Sequence, residues 1–191
     1  SGPAVSNRPS TSKEELLDAA FEIACEKGLS GVNVRAVAAK CGVAVGTVYN
    51  WYPAKSDLIS DVIALFWREA LKDCMPKAAE CGDFIAFCEE LSCRMARAFS
   101  KFHDGWLAEI ASMRAHDLDA AREREQACFS HIRRGLAIAL EQDDRISRER
   151  LTGDLRPEAV CLLVWDAILA SIRRNDDSYR TLLALLRQAL Y

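Results

Sequence analysis

Long stretches of this chain repeat apolar residues every three to four positions, and its prolines and most of its glycines cluster outside those stretches. That spacing is the period of an α-helix, on which residues i, i+3, i+4 and i+7 share a face. With 5 prolines and 9 glycines in 191 residues, the chain has too few turn residues for a β-sandwich. The fold class that follows is all-α. Half the residues are hydrophobic and 28% are charged, which allows a buried core and excludes a disordered chain. No run approaches the roughly 18 consecutive apolar residues of a membrane span. No basic-then-apolar leader precedes the first helix, so a cytoplasmic location is expected. The eight cysteines are then read as reduced thiols, several of them in the core.

The formal net charge of −3 conceals an asymmetry. From Gly28 to Ser56 there is no acidic residue, while Arg35, Lys40 and Lys55 are present. In an acidic chain, such a gap has the form of a surface that meets a polyanion.

The same region has a distinctive local pattern. A first helix should start near Thr11 or Ser12, where Thr11 with Glu14 or Ser12 with Glu15 can form a capping box, and stop at Gly28. Asn33 can cap a short helix from Val34 to about Lys40, which Gly42 stops. A second short helix runs from about Val45 to Tyr52, and Pro53 breaks it. Ser56 can cap a fourth helix, running to about Cys74 before Met75-Pro76. Two short helices joined by a tight glycine-containing turn make a helix-turn-helix. With Val48 placed in the core, a step of about 100° per residue turns Ala44, Trp51 and Tyr52 inward. Gly46, Thr47, Tyr49 and Asn50 then face outward. None is negative, and all but Gly46 can hydrogen-bond to phosphate or a base edge.

The run Gly42-Val43-Ala44-Val45-Gly46-Thr47-Val48-Tyr49-Asn50-Trp51-Tyr52-Pro53-Ala54-Lys55-Ser56-Asp57-Leu58 resembles the turn, recognition helix and fourth-helix start of the TetR family of bacterial transcriptional regulators. Arg35-Ala36-Val37-Ala38 resembles that family's preceding helix. The resemblance covers roughly residues 12–65. It implies a helix-turn-helix DNA-binding domain over residues 5–55 and a larger helical ligand-binding and dimerisation domain over residues 56–191, with about nine helices in all. It also implies that Thr47, Tyr49 and Lys55 bind DNA phosphates and that Arg35, Val45, Gly46 and Asn50 lie where bases are read. Ala44 stands where the family often has a capping Ser or Thr.

Beyond the head, Asp83 can start a fifth helix, Asp104 a shorter one with Trp106, Asp117 a long one to Gln142, Pro157 an eighth, and Ser178 a ninth. The last two are apolar on more than one face, which calls for cover by a second subunit as well as by the body. A homodimer through the two C-terminal helices would present two recognition helices one DNA turn apart. Phe66, Phe87, Met95, Phe99, Phe102, Trp106, Met113, Phe129 and Trp165 are candidates to line a site for a small apolar effector. Cys128 and His131 lie one helical turn apart, but without two further ligands no metal and no cofactor is expected. The expected function is therefore non-enzymatic: a ligand-relieved repressor, homodimeric on a palindromic double-stranded DNA operator. A thiol- or metal-responsive regulator of the same fold and a protein-interaction module are the alternatives.

Overall fold

The structure, a computed structural model, describes residues 11–102, 105–114 and 119–191; of residues 113, 114 and 119–121 it describes the backbone. Among these, nine α-helices and four short 3-10 turns follow one another without a strand. Helix α1 spans Lys13–Lys27, and the Ser12 hydroxyl accepts from the Glu15 N–H at 3.2 Å. It stops at Gly28, whose φ is +79°. Helix α2 spans Val34–Cys41 and α3 spans Val45–Trp51. Helix α4 spans Lys55–Leu71. Ser56 does not cap it: the Asp57 carboxylate accepts from the Ala54 N–H at 3.1 Å, so Ala54 takes the cap position and Ser56 sits in the first turn. Nor does α4 reach Cys74. The chain leaves the helix at Lys72, and Asp73 has a φ of 58°. Pro76 restricts only the residue before it, whereas a short polar side chain tolerates the left-handed turn that ends the helix earlier.

Helices α5 (Phe84–Phe99), α6 (Trp106–Arg114), α7 (Asp119–Gln142), α8 (Pro157–Arg174) and α9 (Tyr179–Leu190) complete the body. Asp83 caps α5, accepting from the Ala86 N–H at 2.7 Å. Pro157 occupies the first turn of α8, where its missing N–H costs nothing. Ser178 precedes α9 but does not cap it. Its hydroxyl instead donates to the Asp176 carboxylate at 2.8 Å, and that carboxylate also takes the Ser178 N–H. His103, Asp104, His116 and Asp117 lie outside the described residues.

Helix α4 is the axis of the fold. It packs on α1 on one side and on α7 and α5 on the other. Its buried side chains (Leu58, Val62, Ile63, Phe66 and Trp67 among them) belong to one apolar cluster that runs from Leu16 of α1 to Leu190 of α9. Aromatic rings connect the layers. Phe66 stacks on Trp106 at 4.6 Å, Trp67 meets Phe129 edge-on at 4.9 Å, and Phe129 meets Trp165 at 4.9 Å. Phe21 of α1 reaches Trp106 at 5.7 Å. On α8 and α9 the inward residues Val164, Trp165, Leu183 and Leu186 are buried, while Leu162, Leu163 and Leu185 are exposed. All eight cysteines are free thiols. Among the described residues, no helix is long and apolar enough to cross a membrane, and no three metal-binding side chains converge.

Candidate nucleic-acid interface

The α2–α3 unit is built by local chemistry. Asn33 accepts from the Ala36 N–H at 2.9 Å and opens α2. Gly42 closes it in the left-handed conformation, φ 66° and ψ 35°. Non-glycine residues there clash between Cβ and the following carbonyl, which is why the turn falls on a glycine. The Val43 N–H returns to the Ala38 carbonyl at 3.0 Å, and α3 starts two residues later. Ala44 offers no side-chain cap to α3, so its first turn relies on a backbone bond from the Thr47 N–H to the Ala44 carbonyl at 3.0 Å.

Two side chains seat α3. Val48 is fully buried among the residues of α1, α2 and α4, and Tyr52 is buried immediately after the helix ends. The remaining face is outward. Tyr49 is 48% exposed, and Arg35, Val45, Gly46, Asn50 and Lys55 are exposed with it; Thr47 is half-buried. Among the described residues, the side chains of Arg35, Tyr49, Asn50 and Lys55 make no hydrogen bond or ion pair within the chain. Lys40 differs: it pairs with Glu22 of α1 at 3.1 Å, which raises its pKa. This surface therefore carries two unneutralised cations, a phenol and an amide, and no carboxylate from Gly28 to Ser56.

Trp51 and Ala44, expected to turn inward, are exposed, Trp51 at 46%. A helical wheel states the direction of a side chain and not the extent of what packs against it. At the end of α3 the neighbour is the segment before α1, whose Thr11 carbonyl accepts from the Trp51 indole at 3.2 Å but leaves the ring uncovered.

Two polar contacts that local sequence patterns do not reveal tie this unit to the body. Asp61 of α4 is buried, and its carboxylate accepts from the Tyr52 hydroxyl at 2.9 Å. The same carboxylate is paired with Lys13 of α1 at 3.7 Å and with Arg124 of α7. The Lys13 ammonium also sits 5.1 Å from the Tyr52 ring centroid. Burial pushes the Tyr52 phenol up to about 12, with Arg124 opposing. Asp61 thus joins the end of α3 to α1, α4 and α7 at one point. The second contact is Glu109 of α6, which accepts from the Leu29 N–H at 2.6 Å and so caps the 3-10 turn after α1.

The apolar candidates in the body divide. Phe66, Phe99, Phe102 and Trp106 line a cavity of about 630 Å³. Phe87, Met95, Phe129 and Trp165 are buried in the packed core and line neither this cavity nor a second one of about 910 Å³ beside α1 and α4. The side chain of Met113 lies outside the described residues.

Comparison with known proteins agrees with this geometry. Residues 16–62 match the model for bacterial regulatory proteins of the tetR family. Over 59 residues the chain is 37% identical to the HTH-type transcriptional repressor KstR of Rhodococcus jostii (strain RHA1), a match covering 31% of this chain and 28% of that protein. Over 47 residues it is 43% identical to KstR of Mycolicibacterium smegmatis (strain ATCC 700084 / mc(2)155), covering 25% of this chain and 23% of that protein. The matched segment thus spans about a quarter of the length of these relatives, both transcriptional repressors by name. In fold the likeness extends over the chain. The structure of BioQ with its double-stranded DNA operator superposes with a TM-score of 0.61 at 19% identity, covering 93% of this chain and 96% of that one. A transcriptional regulator from Rhodococcus sp. Rha1 gives 0.55 at 22% identity, covering 85% and 84%.

Proposed function

We propose, from the chain's membership of the TetR family of bacterial regulatory proteins, that it is a homodimeric repressor whose grip on a palindromic operator is relieved by a small effector. The observation that carries the DNA-binding part is the outward face of α3. Among the described residues it is acid-free, hydrogen-bonding and unpartnered, and buried Val48 and Tyr52 anchor it. Thr47, Tyr49 and Lys55 contact phosphates and set the register on the duplex. Arg35 reaches guanine and Asn50 adenine in the major groove, with Val45 and Gly46 close to the base edges. One two-turn helix reads too few bases alone, and the operator complex of a protein with this fold supports a DNA-bound reading.

The second half of the proposal rests on the body, residues 56–191, beyond a DNA-binding unit of residues 5–55. The exposed Leu162, Leu163 and Leu185 form an apolar surface on α8 and α9 that a second subunit covers. The cavity lined by Phe66, Phe99, Phe102 and Trp106 supplies the effector site. An effector acts by binding more tightly to a conformation whose two heads are spaced wrongly for DNA.

The test is the salt dependence of operator affinity. Each phosphate contact contributes about 0.9 to the slope of log affinity against log salt. Lys55→Ala removes one such contact per subunit, so the slope of a dimer falls by about 1.8. Over a fourfold rise in salt, that difference amounts to roughly tenfold in affinity. Tyr49→Phe weakens cognate and non-cognate DNA alike. An unchanged slope in Lys55→Ala would remove Lys55 from the phosphate contacts.

A further inference from the structure

We propose that the cavity between α5, α6 and α8 is a site for an organic monocarboxylate, with Arg173 taking the head group and the aromatic wall taking the apolar body. As regulation this rests on the effector reading above; as binding it stands alone. The cavity holds about 630 Å³, within the roughly 300–1,000 Å³ of small-molecule sites. Its wall is Phe66, Phe99, Phe102, Trp106, Ile168 and Ile172. Trp106 is buried, and among the described residues its indole N–H has no acceptor, a state shared by the Trp67 indole, which lines neither cavity.

Charge at the rim selects the head group. Asp176 is paired with Arg174 at 3.0 Å and bonded to Ser178, and Asp177 is paired with Arg180 at 3.5 Å. Their charges are balanced. Arg173 lines the same cavity and, among the described residues, has no ion pair or hydrogen bond. Asp166, two turns earlier on α8, acts on it only through space. Arg173 is exposed at the cavity, so its head group is open to an incoming anion; desolvation lowers its pKa and Asp166 opposes that. A guanidinium matches the planar carboxylate through two parallel bonds. Uncharged apolar molecules leave that cation without an ion pair.

The test is calorimetry on the full chain without DNA, using octanoate and 4-phenylbutanoate, each beside its own alcohol. Each acid should bind roughly tenfold or more tightly than its alcohol, the scale of a charge-assisted pair. Arg173→Gln should erase that preference while leaving alcohol affinity unchanged, and its melting profile shows whether it is folded. Ile172→Trp, which fills the cavity, should weaken acid and alcohol together. Equal affinity for acid and alcohol, or a preference that survives Arg173→Gln, overturns the assignment. Operator release is read separately. Acids that bind with the Arg173-dependent preference yet leave the DNA complex intact uphold the site and refute its role as the effector site. If neither acid binds at millimolar concentration while an uncharged compound releases DNA, the ligand class is wrong and the effector reading stands.

Discussion

Removing the Tyr52 hydroxyl should loosen α3 without touching any residue of the proposed DNA-binding face. Tyr52 ends α3, and its hydroxyl donates to the buried Asp61 carboxylate at 2.9 Å. A hydrogen bond to a charged group contributes about 1.5–3 kcal/mol. Tyr52→Phe keeps the ring, hence the packing and the Lys13 contact at 5.1 Å, and deletes the bond alone. At about 2–4 °C per kcal/mol for a chain of this size, the melting temperature falls by roughly 3–12 °C. Urea denaturation of Tyr52→Phe, Asp61→Ala and the double variant measures the coupling directly, and about 1.5–3 kcal/mol is expected. The pH profile gives an independent check. Burial raises the Tyr52 phenol to about 12, above the roughly 10 of an unfolded tyrosine, so the folded state favours the protonated form. That stabilisation is complete below pH of about 10 and is lost as pH rises toward about 12. The gap between wild type and Tyr52→Phe should therefore be level up to that point and close above it. Operator affinity should fall in the variant with an unchanged salt slope, because no phosphate contact is lost. A coupling energy near zero, or a gap that stays open in strong alkali, would refute the view that Asp61 holds α3 through Tyr52.

Other outcomes follow from the same geometry. Gly42→Ala should cost about 1–2 kcal/mol, the backbone penalty alone, since nothing lies within 4 Å of the added methyl. Gly28→Ala should cost more, because its methyl would meet the Glu109 carboxylate at 2.7 Å and break the Leu29 cap; urea denaturation ranks the two. Leu163→Asp with Leu185→Asp, both on exposed positions of α8 and α9, should leave the fold intact and yield a monomer by sedimentation. Trp51 alone of the four tryptophans is exposed, so Trp51→Phe should remove the iodide-quenchable part of the emission.

The helix-turn-helix was legible in the residues themselves because its determinants are close in the chain. Asn33 caps a donor three residues on, Gly42 supplies the left-handed turn, and Val48 lies six residues beyond it. The acid-free run from Gly28 to Ser56 is likewise a property of order alone. Helix ends were less legible wherever two polar neighbours competed for one cap, as with Asp57 against Ser56 and Asp176 against Ser178. What only the tertiary structure decided are contacts between elements far apart in sequence. Asp61 reads as one more polar residue on α4 until Arg124, 63 positions later, and Tyr52 meet it. Glu109 caps a turn 80 positions earlier. Periodicity marks Phe66, Phe87 and Phe99 as equally apolar, yet Phe66 and Phe99 face a cavity while Phe87 is packed solid. Hydrophobic burial is non-directional: a sequence states which side chains must leave water, and only the meeting of helices settles which of them find a neighbour and which are left facing a space.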